Sequence, residues 1–205
     1  VGPTSISQEW DWCSGYHDSE NSVIGFSHTH LSGTGCGDLF DVTLMPVTGE
    51  VPYGRGRLGD YTTGFWSEAD REKEVVEPGY YSVPLTRYNI TAEMTATERG
   101  GLHRYTFPAS DQAAIILDLV HGGCFDRPED LYAEAVGNNR VVGRRHSWGW
   151  SNNQKVYFVI EFSKPFEKFE PIGEENWYYR IHFNTEEGEQ IGVKVALSST
   201  SPEGA

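Results

Sequence analysis

Residues 25–41 read GFSHTHLSGTGCGDLFD and bring together side chains that could carry out chemistry. His28 and His30 are one residue apart, so in a strand both imidazoles would face the same side, as in metal sites built on sheets. A closed metal site needs a third and usually a fourth ligand. The side chains of suitable type nearby are Asp38, Asp41 and His17. Their spacing singles out none of them, so a metal site is one of several open interpretations.

The glycine-rich part of this motif favours neither a phosphate site nor a nucleophilic serine. SGTGCG at 32–37 lacks the Walker lysine, and the LFDVTLM stretch after it is typical of a strand rather than a helix. LSGTG does not match the G-x-S-x-G of a nucleophile elbow. What remains is a tight loop between two strands, in which His28 and His30 either order the loop by local hydrogen bonds or face a partner.

The composition excludes several function classes. The 205 residues include 30 Asp and Glu against 16 Lys and Arg, a formal net charge of −14. That charge disfavours nucleic acid and anionic membrane surfaces as partners, and no apolar run approaches the roughly 18 residues of a membrane span. The three cysteines, Cys13, Cys36 and Cys124, form no CxxC pair and allow at most one disulfide, so their redox state stays open.

Strand patterns separated by Gly and Pro extend along the chain. NITAEMTATE at 89–98 alternates apolar and polar residues, and KVYFVIEF at 155–162 is rich in aromatic and β-branched residues. Further strands are predicted at 22–27, 39–46, 79–84, 102–107, 113–119, 140–146, 177–183 and 190–197. PEDLYAEAV at 128–136 could instead form one or two helical turns. The sequence therefore predicts an all-β antiparallel sandwich with little helix, as one domain over residues 1–205.

The C-terminal residues predict the start of a helix. Ser201 is a suitable N-cap, Pro202 suits the first helical position and Glu203 the first turn. Because the sequence stops there, we expect a domain truncated from a longer protein, with the truncation affecting both ends.

Residues 10–46, WDWCSGYHDSENSVIGFSHTHLSGTGCGDLFDVTLMP, resemble the N-terminal domain of glycoside hydrolase family 92, the calcium-dependent exo-acting α-mannosidases most familiar from gut Bacteroidetes. The likeness continues through 90–108, 115–119 and 156–166. The family's N-P-F-I-G-T opening is absent. Asp18 stands where the family commonly has an aromatic residue, and Phe40 replaces a smaller one. These differences concern the substrate rim rather than the family.

The resemblance implies a galactose-mutarotase-like supersandwich packed on an (α/α)6 catalytic barrel that would follow residue 205. Such enzymes hydrolyse terminal α-mannosides with inversion, which requires a general acid and a general base roughly 6.5–9.5 Å apart. Both carboxylates and the calcium ligands are expected on the barrel, so no catalytic or metal-binding residue is expected in this chain. The implied partners are a mannose-containing glycan and the barrel of the same chain. The implied location is periplasmic, at the cell surface or secreted.

The resemblance also implies a substrate rim that this chain supplies. Trp10 stands where the family places a tryptophan beside the sugar that accepts the glycosidic bond, and an aromatic face suits the C–H face of a sugar. Trp10 could instead be a packing residue, with Trp12 as its rival. The implied substrate-binding residues are Trp10, Trp12, His17, His28 and His30. A free-standing carbohydrate-binding module, supported by the aromatic content and β pattern, is the alternative.

Overall fold

The structure is a computed structural model that describes residues 2–6, 21–30, 39–98, 100–123, 125–149, 151–175 and 177–205. These residues form strands and two 3-10 helices, Arg71–Lys73 and Pro202–Gly204. The strands are β1 (Gly2–Thr4), β2 (Ser22–Val23), β3 (Gly25–Ser27), β4 (Thr43–Thr48), β5 (Ser67–Glu68), β6 (Val75–Glu77), β7 (Tyr80–Leu85), β8 (Ile90–Ala96), β9 (Gly100–Phe107), β10 (Ser110–Asp118), β11 (Arg127–Val136), β12 (Arg140–Trp148), β13 (Gln154–Phe162), β14 (Lys168–Ile172), β15 (Tyr178–Thr185) and β16 (Glu189–Ser198).

The strands pair antiparallel in two large sheets. The smaller sheet has the order β1-β3-β4-β10-β15-β14, and the larger has the order β11-β12-β13-β16-β9-β8-β7-β6. A separate two-stranded pair joins β2 to β5. The prediction of an all-β antiparallel sandwich with little helix is confirmed.

The core lies between the two sheets and follows from the period-two patterns. In β13, Val156, Phe158, Ile160 and Phe162 are buried, while the residues between them are partly exposed. Successive side chains of a strand point to opposite faces, so one apolar set covers the inner face. Burying each such side chain contributes about 1.5–3 kcal/mol. The same alternation buries Ile90, Ala92 and Met94 of β8.

Two local predictions were wrong. Residues 128–136 form the edge strand β11, which pairs with β12 along its length, rather than a helix. The predicted strand at 39–46 begins only at Thr43, because Leu39, Phe40 and Val42 have positive φ values of 68°, 55° and 55°. Pairing in a sheet requires extended backbone, which these three residues do not have.

The predicted helix start at the C-terminal end is a single 3-10 turn, in which the Ser201 side chain makes no cap hydrogen bond.

One connection crosses the end of the sandwich and joins the two sheets there. Residues 119–126 lead from β10 in the smaller sheet to β11 in the larger sheet. In this connection the amide of Gly123 donates to the carbonyl of Leu39, in the positive-φ segment 39–42, at 3.0 Å. Among the described residues, no helix is both long and apolar enough to span a membrane.

Candidate functional site

Backbone hydrogen bonds join two segments of the histidine- and glycine-rich motif, 28–30 and 39–41. The amide of His28 donates to the carbonyl of Asp41 at 3.0 Å, and the amide of Phe40 donates to the carbonyl of Thr29 at 2.9 Å. We call these two short segments, 28–30 and 39–41, the loop base. Residues 31–38 between them lie outside the described residues, as do Trp10, Trp12, His17 and the three cysteines.

His28 belongs to a chain of hydrogen bonds that crosses between the sheets. Its Nδ1 lies 2.5 Å from the carbonyl oxygen of Val42, and its Nε2 lies 2.7 Å from Nε2 of His103 on β9. The Nδ1 of His103 is in turn 2.9 Å from the hydroxyl of Tyr105. Gly101 makes room for this arrangement, because a Cβ there would lie 2.8 Å from the His28 ring. We call these groups the histidine chain.

One set of tautomers satisfies every contact in the histidine chain. A carbonyl oxygen only accepts, so His28 must carry its proton on Nδ1 and, when neutral, accepts at Nε2. His103 then donates from Nε2 to His28 and accepts at Nδ1 from the Tyr105 hydroxyl. Both rings are neutral in this arrangement, and only protonation of both would set two N–H groups against each other at the shared contact.

Burial favours the same neutral state. Burial lowers the pKa of His28 to about 3, although the bond to Val42 opposes the shift. Burial also lowers the pKa of His103 well below its ordinary value, and the neighbouring His28 acts in the same direction. His103 and Tyr105 are 4% and 0% exposed, so water cannot compensate a charge there.

His30 lies at the other end of the 28–30 segment and bonds locally. Its Nε2 is 3.0 Å from the hydroxyl and 3.1 Å from the carbonyl oxygen of Ser27, and its ring packs 4.9 Å from the ring of Phe40. Burial lowers its pKa to about 4. The structure therefore places His28 and His30 in the loop base, with nitrogens directed to protein partners. Whether they also contact a substrate stays a prediction.

A second polar network adjoins the loop base and is ionic. The fully buried Arg145 of β12 donates from Nη1 to Oδ1 of Asp41 at 2.7 Å and also contacts the carboxylate of Asp126 through Nη2. The second oxygen of Asp41 accepts from Thr29 Oγ1 at 2.7 Å and from Gln154 Nε2 at 3.0 Å. We call Asp41, Arg145 and Asp126 the ionic cluster. Burial disfavours a charged guanidinium, but the two carboxylates outweigh it and raise the pKa of Arg145.

The connection from β10 to β11 contributes Leu119, Val120 and Asp126 to the surroundings of the Arg145 guanidinium. Nε of Arg145 donates to the carbonyl of Leu119 at 2.8 Å. Gly122 allows this close approach, since a Cβ there would lie 2.7 Å from Nη2 of Arg145 and 2.3 Å from the Asp126 carboxyl carbon. The fully buried Asp118 fixes the start of the segment by accepting from the amides of Val120 and His121 at 2.8 and 3.0 Å.

Backbone strain is concentrated at the same place. The described non-glycine residues with positive φ are Leu39, Phe40, Val42, Asn89 and Phe125, and all but Asn89 belong to the two segments that meet here. A non-glycine residue in this region of φ/ψ space costs of order 1–3 kcal/mol and persists where its surroundings enforce it. Such outliers occur preferentially at functional sites, so this end of the sandwich is the candidate site.

The described residues do not fit a metal site. No group of three or more His, Cys, Asp or Glu side chains among them converges so as to hold an ion. The carboxylates of Asp41 and Asp126 face a guanidinium, and the nitrogens of His28 face protein partners. His17 and Asp38, the other ligands considered for this motif, lie outside the described residues.

Sequence reasoning found one half of this site and missed the other. His28 and His30 were candidates by type and spacing and Asp41 by type alone. His103 and Arg145 were not considered, although both lie in strands that were predicted. The position of Arg145 could have been predicted from the sequence, because it lies an even number of residues from Val141 and Ser147 and so faces inward with them. A charged residue at an inward position predicts a buried ion pair.

Comparison with known proteins extends these observations. The family model described as the glycosyl hydrolase family 92 N-terminal domain matches residues 1–198. An α-mannosidase of family GH92 from Bacteroides thetaiotaomicron, also solved in complex with mannoimidazole, is similar over 99% of this chain with a TM-score of 0.90 and 32% identity. This chain covers 30% of that structure.

Two further relatives are more distant. A GH92 inverting mannosidase from the same bacterium is similar over 98% of this chain and 27% of its own, with a TM-score of 0.76 and 20% identity, which shows the fold alone. An uncharacterized secreted glycosidase of Arthroderma benhamiae is 29% identical over 114 residues, 52% of this chain and 14% of that protein. The chain thus spans less than a third of the length of these relatives.

Proposed function

Because the chain belongs to the glycosyl hydrolase family 92 N-terminal domain family, we propose that it is the sandwich domain of a glycosidase that hydrolyses terminal α-mannosides. The observation that carries the proposal is the similarity to an α-mannosidase over 99% of the chain at 32% identity. The catalytic carboxylates and a calcium ion would belong to a C-terminal (α/α)6 domain of the same protein. This domain would supply the substrate rim and the interface to the catalytic domain.

The loop base supports the rim role. Backbone hydrogen bonds of 3.0 and 2.9 Å join its two segments, 28–30 and 39–41, and the histidine chain and the ionic cluster bond to it from between the sheets. A residue that contacts the ligand from a rigid support loses less conformational entropy on binding. We infer that Trp10, Trp12, His17, His28 and His30 lie at this rim, with a tryptophan stacking on the sugar. The protein would act outside the cytoplasm, on mannose-containing glycans.

Hydrolysis assays on two forms of the protein test the proposal. The full-length protein should cleave an aryl α-mannoside and α-1,2-mannobiose, release the β-anomer first as seen by proton NMR, and lose activity with a calcium chelator. The isolated chain of residues 1–205 should cleave neither substrate, because it lacks the acid/base pair. A full-length protein that cleaves no α-mannoside would refute the function. Activity in the isolated chain would refute the assignment of catalysis to another domain.

A further inference from the structure

A tight turn displays the ring of Phe125 at the candidate site. The amide of Asp126 donates to the carbonyl of Gly123 at 3.3 Å and closes the turn, and Phe125 occupies its third position with φ of 63°. That position, when φ is positive, normally holds Gly or Asn. The Phe125 side chain is nevertheless 75% exposed, the largest exposure of any described large hydrophobic residue.

Neither packing nor local backbone preference explains this residue. A phenylalanine with positive φ costs of order 1–3 kcal/mol, whereas glycine would adopt the same turn without strain. A ring that is three-quarters exposed recovers little of that free energy by burial. Burial of its ring among the described residues therefore does not offset the strain.

The turn is held firmly although its ring is exposed. On one side the amide of Gly123 donates to the carbonyl of Leu39, which places the turn against the loop base. On the other side Asp126 is bound by the buried guanidinium of Arg145 through both carboxylate oxygens. The residues on both sides of Phe125 are thus held by the loop base and the ionic cluster, as expected for a preorganised binding group.

The surroundings of the turn favour a sugar over a protein surface as the partner of this ring. Arg127 follows on β11, and its guanidinium lies 5.3 Å from the ring of Trp148, which is itself 40% exposed. The exposed large aliphatic residues of the described structure, Leu58, Val75, Val76 and Val136, lie on other segments. Carbohydrates are bound by flat aromatic faces with a few polar groups, whereas protein-docking patches are contiguous and apolar.

We propose that Phe125 is a specificity-determining residue whose ring stacks on the C–H face of a pyranose unit of the bound glycan. The proposal rests on the glycosidase function proposed above, since it names a further contact at the same rim. Phe125 has no part in the acid/base chemistry. It binds and orients the sugar, so its loss should raise KM and leave kcat for a bound aryl mannoside nearly unchanged.

Binding of an uncleavable sugar to the full-length protein tests the proposal. Calorimetry with S-linked α-1,2-mannobiose should show binding about tenfold weaker for Phe125→Ala and close to wild type for Phe125→Trp. Phe125→Gly should weaken binding likewise but raise Tm, because it relieves the positive φ. Tyr132→Ala, which removes another exposed aromatic side chain of the larger sheet, is the matched control and should bind as wild type.

The outcomes separate this inference from the proposed function. Equal binding by Phe125→Ala and wild type would overturn the inference even if the enzyme hydrolyses α-mannosides. A lower Tm for Phe125→Ala with unchanged binding would also overturn it, since the ring would then pack on another part of the protein. A wild-type protein that binds the disaccharide through Phe125 but cleaves no mannoside would refute the proposed function and keep the inference. No binding by the wild type would refute the inference.

Discussion

The histidine chain and the ionic cluster lie side by side between the sheets, yet they satisfy buried polar groups in different ways. The histidine chain runs from Tyr105 through His103 and His28 to the carbonyl of Val42 with no charge at all. The ionic cluster places one guanidinium against two carboxylates, with neutral donors from Thr29 and Gln154 on the free oxygen of Asp41. Both end on the same short segment, 41–42.

The difference predicts which conditions disturb each network. An added proton destabilises a buried neutral pair of imidazoles, because burial leaves the new charge without water, and a second proton would make both rings donate at the shared contact. The ionic cluster keeps its cation at any ordinary pH, but it cannot lose one partner without leaving a charge buried and unpaired. The histidine chain is thus sensitive to acid, and the ionic cluster is sensitive to substitution.

Removing the guanidinium should give the largest effect. Arg145→Met would leave the Asp41 carboxylate fully buried without its cation, so we expect a loss of about 3–5 kcal/mol in the free energy of unfolding. Urea unfolding of the wild type and variant measures it. Arg144→Met is the matched control on the same strand, because Arg144 faces outward and pairs with the half-exposed Asp130. It should cost about 0–1 kcal/mol. Equal losses in the two variants would contradict the buried ionic cluster.

Acid should act through the histidine chain. His103 has a folded pKa far below the ordinary 6.5, so the unfolded chain takes up a proton that the folded chain refuses. The contribution of His103 to the free energy of unfolding is therefore fully present above pH 6.5 and is lost as the pH falls below it. One histidine that stays neutral in the folded state contributes at most about 1.4 kcal/mol per pH unit below 6.5.

His103→Gln identifies this contribution. Its unfolding free energy, followed by urea denaturation from pH 8 to 5, should fall less steeply than that of the wild type. At pH 8 both proteins carry neutral side chains at position 103, so the difference there measures packing and hydrogen bonding alone and serves as the baseline. Parallel pH profiles for the two proteins would show that His103 is not held neutral.

Removing one hydroxyl should give the smallest effect. Tyr105→Phe deletes the donor to Nδ1 of His103 and leaves a buried acceptor unpaired, which should cost about 1 kcal/mol in the free energy of unfolding. Tyr80→Phe removes a hydroxyl that bonds to Glu93 at the surface and should cost less, because water replaces the partner. Thermal unfolding at pH 8 compares the pair, and a larger loss for Tyr80→Phe would argue against the assigned tautomers.

Regular strands were predicted well because their cause is local. The alternation at 89–98 and the aromatic run at 155–162 correspond to β8, Ile90–Ala96, and β13, Gln154–Phe162. Strand β11 was missed because Ala133 is its single buried residue, so no apolar alternation marks it. Its extended form comes from pairing with β12, which is tertiary information.

The candidate site was predicted in part for the same reason. The types of His28 and Asp41 drew attention to their motif, but their partners are distant in the chain: 75 residues separate His28 from His103, and 104 separate Asp41 from Arg145. Positive φ at Leu39, Phe40 and Phe125 contradicts the preference of each residue type. The surrounding contacts impose those angles, so no local pattern could reveal them.

The strand order of the larger sheet also determines when that sheet can be completed during synthesis. β7, β8 and β9 form one set of consecutive hairpins, and β11, β12 and β13 form another. Among the described strands, the two sets are joined through β16, Glu189–Ser198, which pairs with β13 on one side and β9 on the other. A nascent chain therefore keeps two open sheet edges until residue 198 has left the ribosome. Every truncation that removes β16 would divide the sheet and leave the edges of β13 and β9 open to pairing with other chains.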